Sequence, residues 1–102
     1  MAAKPMDAGF RLDCGAPDTV AVSGALSFAT AAAAFVALRE ALRGGERRQL
    51  DLSAVSGCDS AGLACVLAVL AESDRQGHPL QVRQVPAGMQ ALAQVCGVGQ
   101  WV

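Results

Sequence analysis

One stretch of the chain, Leu50 to Ala64, limits the possible folds more than any other part of the sequence. Leucines alternate with polar residues at its start, which is the two-residue period of a half-buried β-strand. A glycine then interrupts the run, and Asp59 or Ser60 is placed to cap a helix that begins at Ala61. The stretch predicts a strand, a short loop, and a helix whose N-terminus presents a carboxylate and a hydroxyl beside free backbone N–H groups.

Alternating segments elsewhere in the chain complete a predicted sheet. The four predicted strands are 10–12, 19–22, 47–53 and 80–85. A turn rich in glycine, proline and aspartate separates the first two strands, which favours an antiparallel hairpin. Helical segments separate the later strands, which favours crossover connections and parallel pairing. We therefore predict an α/β fold with a small mixed, mainly parallel β-sheet packed with α-helices.

Helical spacing of apolar residues predicts three helices between and after these strands. The predicted segments are 27–43, 61–76 and 86–96. Ser27 is a natural N-cap for the first helix, Phe28 begins its apolar side, and Gly44–Gly45 is expected to end it. Beyond the last helix, Trp101 either anchors a partner or covers the edge of the core, and we favour the second alternative.

Length and composition indicate one domain with an aliphatic core. The chain has 102 residues, which suits a single domain over residues 10–102 after a flexible leader at 1–9. Hydrophobic residues make up 53% of the chain but aromatic residues only 4%, so alanine, valine and leucine must fill the core. The formal net charge is −1, and Arg47–Arg48 is the only adjacent basic pair. This balance argues against a nucleic-acid surface.

The cysteines and apolar runs argue against metal, disulfides and a membrane span. The four cysteines include no Cys-x-x-Cys pair, and His78 is the only histidine, so we predict reduced thiols and no metal site. The start of the chain lacks the apolar core of a signal peptide, and the apolar runs are shorter than the ~20 residues of a spanning helix. We therefore expect a cytoplasmic protein without direct membrane insertion.

The motif Asp59-Ser60-Ala61-Gly62-Leu63-Ala64 resembles the central motif of STAS domains. It is most similar to the motif in the small STAS subunit of Mla phospholipid transporters. Two other segments, Val22 to Thr30 and Val85 to Val98, resemble the same subgroup around its first and last helices. The resemblance extends over roughly residues 10–98 and implies a single STAS domain.

The resemblance also implies a function and a partner. Such a subunit is not catalytic and binds no cofactor. It binds the cytoplasmic ATPase of an ABC transporter that moves phospholipids between bacterial inner and outer membranes, and so supports outer-membrane lipid asymmetry. Through the ATPase it is joined to a membrane permease, which places it peripherally at the inner membrane. In that subgroup the hydroxyl residue of the central motif, which matches Ser60, lies at the ATPase interface.

The helix after Ser60 has two apolar sides, and we expect the side with the larger leucine and valine residues to face the sheet. The opposite side has small apolar residues, which would let a partner approach closely. The predicted partner-binding residues are Asp59, Ser60, Ala61, Cys65, Ala68 and Val69. The alternative interpretation is that the protein's own first or last helix covers this side.

A second hypothesis for the motif is an anti-sigma-factor antagonist, which is also a STAS domain. In those proteins a serine kinase phosphorylates the residue that matches Ser60, and the added charge would oppose Asp59 and an apolar partner. Against this hypothesis, Ala61 stands where antagonists more often have a second serine. An enzyme is not indicated, because the only histidine, His78, lies in a predicted turn and is not an evident base for Ser60.

Overall fold

A mixed sheet of four strands, in the order β1-β2-β3-β4, forms the framework of the protein in a computed structural model that describes residues 9–43 and 46–102. The strands are β1 (Phe10–Asp13), β2 (Thr19–Leu26), β3 (Gln49–Cys58) and β4 (Gln81–Arg83). β1 pairs with β2 in the antiparallel direction, whereas β2–β3 and β3–β4 are parallel. The predicted mixed, mainly parallel sheet is confirmed.

Helices connect the parallel strands and share one core with the sheet. They are α1 (Ala31–Ala41), α2 (Ser60–Arg75) and α3 (Ala87–Val95), followed by a short 3-10 helix, Gly99–Trp101. A single buried cluster joins all three α-helices to β2 and β3: Val20, Val22, Leu26, Ala34, Leu38, Leu50, Leu52, Val55, Leu63, Cys65, Val66, Val69, Met89 and Ala93. As the composition predicts, aliphatic side chains dominate this cluster, and among the described residues only the half-buried Phe10 and Phe35 add aromatic rings at its margin. No helix in the described ranges is long and apolar enough to cross a membrane.

The third strand is longer than the sequence predicts. β3 continues through Gly57 to Cys58, where a loop was expected, because it pairs with β2 as far as Leu26 opposite Cys58. Asp59 is therefore the single residue between the strand and α2. This short connection fixes the start of α2 against the end of the sheet.

The predicted start of the first helix is wrong, because α1 begins at Ala31 and Ser27 is not its cap. The hydroxyl of the buried Thr30 accepts the Ser27 N–H at 2.9 Å and donates to the Ala25 carbonyl at 3.0 Å. These bonds hold residues 27–30 in a turn before the helix and leave Phe28 outside the core. The expected helix end at Gly44–Gly45 and most of the expected leader at 1–9 lie outside the described residues.

Glycine ends the last two α-helices, as the sequence predicts. Gly77 and Gly97 both have positive φ, and the hydrogen bonds His78 N–H to the Ser73 carbonyl and Val98 N–H to the Ala93 carbonyl close each helix. Of the two alternatives for Trp101, the favoured one, that it covers the edge of the core, is wrong. Trp101 is 62% exposed, because the chain turns at Gly97 and places the 3-10 helix at the surface.

Candidate partner-binding site

The site lies where the carboxyl ends of β2 and β3 meet at one edge of the sheet. Leu26 is paired with Cys58, so the turn after β2 and the start of α2 are neighbours although they are distant in sequence. The Asp59 N–H donates to the Leu26 carbonyl at 3.3 Å. The backbone therefore ties the two segments together at this edge.

The carboxylate of Asp59 joins the two segments a second time. Its Oδ1 accepts the Gly62 N–H at 3.0 Å, which confirms Asp59 as the N-cap of α2, and its Oδ2 accepts the Phe28 N–H at 3.0 Å. The hydrogen bond from Phe28, followed by that from Gly62, lowers the pKa of the Asp59 carboxyl. Ser60 is the first residue of the helix and is exposed, so its hydroxyl is not needed as the cap.

Gly62 lets the start of α2 approach β2 more closely than any other residue would. A Cβ at this position would lie 2.0 Å from the Leu26 carbonyl oxygen and 2.6 Å from its carbonyl carbon. Both atoms belong to backbone that is held by strand pairing, so they cannot move aside easily. The glycine of the Asp-Ser-Ala-Gly motif is thus required by packing, and it sets the position of Ser60.

Phe28 is a site residue that the sequence interpretation missed. It is 86% exposed, although it is one of only three phenylalanines in the chain, and its N–H is bonded to Asp59 next to Ser60. A topological argument could have found it. Because parallel strands end at the same edge of a sheet, the residues just after β2 must lie near those just after β3.

The structure divides the residues predicted on the outer side of α2. Cys65 and Val69 are 6% and 1% exposed, so the expectation that they face outward is wrong. Val69 lies with Val36 of α1 in the groove between the two helices. This position agrees with the alternative interpretation, in which the first helix covers this side of α2. Ala61 is half-buried and Ala68 is exposed.

The residues that remain accessible form one continuous surface. Ala64 joins Ala68 and Ser60 at intervals of four residues along the exposed side of α2. We call this surface the Ser60 face, and it comprises Phe28, Asp59, Ser60, Ala61, Ala64 and Ala68. Apart from Asp59 it has no charge, and its helical part is lined by small side chains.

The thiols near the site are poorly suited to nucleophilic chemistry. Burial, and then the charge of Asp59, raises the pKa of the Cys58 thiol, and burial raises the pKa of the Cys65 thiol. Both thiols are therefore protonated at neutral pH, whereas the thiolate is the reactive form. Within residues 9–43 and 46–102 no three His, Cys, Asp or Glu side chains are grouped so that they could hold a metal ion.

The fold and this site define a small α/β domain that presents a serine at the capped start of a helix. A family model described as "Mlab, STAS domain" matches residues 13–102, and the chain therefore belongs to the STAS domain family. A comparison with curated proteins gives no match.

Two solved structures show the same fold. The phosphorylated form of SpoIIAA, a cell fate determinant of Bacillus, is 21% identical with a TM-score of 0.64, and the match covers 90% of this chain and 86% of that one. The unphosphorylated form of SpoIIAA, an anti-sigma factor antagonist, is 20% identical with a TM-score of 0.68, and the match covers 90% of this chain and 84% of that one. The predicted STAS fold is confirmed.

Proposed function

We propose that this protein is a non-catalytic subunit that binds the cytoplasmic ATPase of a phospholipid ABC transporter through the Ser60 face. In this role it supports the assembly or activity of the ATPase and reaches the inner membrane only through the transporter. The description of the matched family as an Mlab STAS domain supports this choice of partner.

The exposure of Phe28 is the observation that supports a binding role most directly. Full burial of a phenylalanine side chain contributes roughly 1.5–3 kcal/mol, and this chain forgoes that contribution in its own core. The Asp59 carboxylate and the Thr30 hydroxyl hold the turn that presents Phe28. An aromatic side chain that is fixed outside the core is the kind of residue that anchors a protein interface.

The helical part of the Ser60 face suits close contact with another backbone. Ala64 and Ala68 have minimal side chains, so a partner can pack directly against the helix. Ser60 adds a hydroxyl that can donate or accept one hydrogen bond at the rim. A carboxylate at this position would have to be desolvated beside Asp59, which is unfavourable.

The test is binding of the purified chain to the ATPase subunit of the phospholipid ABC transporter from the same host. The wild-type chain is expected to bind and to co-purify with the ATPase and the permease when all are co-expressed. Ser60→Glu and Phe28→Ala are each expected to weaken binding by about a hundredfold, which corresponds to about 2.7 kcal/mol. Isothermal titration calorimetry measures both effects.

A matched control places the same charge on a remote exposed serine. Ser53 lies on β3, five residues before the end of the strand at Cys58, and Ser53→Glu should bind like the wild type. Circular dichroism and thermal unfolding establish that each variant is folded. If folded Ser60→Glu and Phe28→Ala bind the ATPase with wild-type affinity, the Ser60 face is not the interface.

A second candidate function is that of an anti-sigma-factor antagonist switched by phosphorylation of Ser60. The specific observation in its favour is the exposed hydroxyl at the first residue of α2, where backbone N–H groups and the helix dipole stabilise a phosphate. The structural neighbour SpoIIAA is described in phosphorylated and unphosphorylated forms. A phosphate on Ser60 would repel acidic or apolar partners while leaving the fold intact.

Ser60→Ala separates the two functions. In a constitutive transporter subunit, this variant should bind the ATPase within about twofold of wild type, because it loses only one rim hydroxyl. In a phosphorylation switch, it should resist phosphorylation by the host's anti-sigma serine kinase and stay in its binding form. Incubation with that kinase and ATP, followed by intact-protein mass spectrometry, tests the switch directly.

A further inference from the structure

An open apolar groove lies at the far end of α2 from Ser60. It has a volume of about 540 Å³ and is formed by α2, the segment before β4 and the C-terminal 3-10 helix. Its lining residues are Leu67, Leu70, Ala71, Asp74, Leu80, Val98 and Trp101. Trp101, the only tryptophan of the chain, forms one wall and is 62% exposed. The groove is therefore apolar and accessible, with one carboxylate among its lining residues.

The groove is continuous with the Ser60 face. Ser60, Ala64, Ala68 and Ala71 are all exposed and follow one another at intervals of three or four residues, so they lie on the same side of α2. Ala71 also lines the groove. The distance along the helix axis from Ser60 to Ala71 is roughly 16 Å. A partner that lies along this side of α2 meets no charged side chain of the helix until Asp74.

The flank of the Ser60 face next to α1, away from the groove, offers a partner a different surface. There α1 covers α2, and Arg39 and Glu40 of α1, together with Arg43 just after the helix, are exposed around a shallow polar groove. Interface centres are depleted of charged residues and enriched in aromatic ones. Trp101 and the alanines therefore make the groove side, and not the α1 side, the favourable direction for an interface to extend.

The size of stable interfaces points the same way. A stable interface buries roughly 800 Å² on each partner, which corresponds to a patch about 30 Å across. Phe28 and the first turn of α2 cannot supply such an area alone. Extension over the 16-residue length of α2 to Trp101 brings the surface to the required dimension.

We propose that the partner bound at the Ser60 face also inserts an amphipathic helix into the Trp101 groove, with a basic side chain beside Asp74. This inference rests on the proposed function and identifies a second anchor of the same interface. Apolar grooves between helices accept the apolar side of such a helix. The exposed Asp74 carboxylate selects a lysine or arginine at its edge.

The test measures the affinity of the purified transporter ATPase for groove variants of the full chain. Trp101→Ala is expected to weaken binding about thirtyfold, because it removes an anchor, and Ala71→Glu about a hundredfold, because it places a charge in the apolar contact. Asp74→Lys should weaken binding about tenfold and reduce its salt dependence. The matched control is Val36→Ala, an exposed apolar residue on the α1 side, which should bind within twofold of wild type.

The outcomes distinguish the groove from the proposed function. If Ser60→Glu abolishes binding but folded Trp101→Ala and Ala71→Glu bind within twofold of wild type, the groove proposal is overturned and the proposed function stands. If the wild-type chain does not bind the ATPase, both fail. If the groove variants change only self-association, as measured by light scattering, the groove binds a second copy of the chain and the proposal is again overturned.

Discussion

The two sides of α2 consist of similarly small or apolar residues, but one side is buried and the other is exposed to solvent. On one side Cys65, Val69 and Ser73 are buried at intervals of four residues, where α1 packs against the helix. On the other side, small apolar side chains at 64, 68 and 71 are exposed. The difference arises from the position of α1 and not from the polarity of the side chains. An exposed side that is as apolar as a covered one is a surface suited to a partner.

Gly62→Ala is the strongest test of how α2 is held in this position. The added Cβ would lie 2.0 Å from the Leu26 carbonyl oxygen, so either the helix or β2 must shift. We expect a loss of about 3 kcal/mol in the free energy of unfolding, together with loss of partner binding as Ser60 moves. Urea unfolding followed by circular dichroism measures the first effect.

The control for this prediction is the same substitution at Gly88. A Cβ there would have no atom within 4 Å, and the residue lies in the first turn of α3, so Gly88→Ala should leave the protein as stable or stabilise it by up to about 1 kcal/mol. Equal stability of the Gly62 and Gly88 variants would mean that close packing against Leu26 does not hold α2.

Two neighbouring residues provide a direct test of the comparison itself. Val69→Ala removes methyl groups from the side covered by α1 and should lower the free energy of unfolding by about 2 kcal/mol. Ala68→Ser changes the exposed side and should alter it by no more than about 0.5 kcal/mol. Thermal and urea unfolding compare the two variants. Similar losses would show that both sides of α2 are covered in solution.

Local chemistry explains what could be predicted of the fold. The cap at Asp59, the helix end at Gly77 and the antiparallel first pair of strands each follow from a few adjacent residues. The side of α2 that α1 covers does not, because helical periodicity shows two apolar sides and only a contact between distant segments selects one. Cys65 and Val69 were misplaced for this reason.

The start of α1 shows the same limit. Ser27 is an acceptable cap by residue type, so the sequence predicts that the helix starts there. The observed start at Ala31 is set by the hydrogen bond from the Thr30 hydroxyl to the Ala25 carbonyl, and this bond depends on the path of the chain at the end of β2. That bond leaves Phe28 exposed beside Asp59. Helical spacing alone instead predicts that Phe28 begins the apolar side of the helix.

The smallest expected effect concerns the negative charge of Asp59, whose carboxylate connects the turn at Phe28 to the start of α2. Hydrogen bonds from Phe28 and Gly62 lower the pKa of Asp59 in the folded protein below the value of about 3.9 for an unfolded chain. The stabilisation by this carboxylate is fully present above that unfolded value and is lost as the pH falls through the lower folded value.

Asp59→Asn keeps an N-cap but removes the charge, so the free energy of unfolding of this variant should depend less on pH below about 4. Urea midpoints of both proteins between pH 7 and pH 2.5 measure this, and the gap between them should narrow as the pH falls. A gap that stays constant would show that the charge of Asp59 does not stabilise the join between the Phe28 turn and α2.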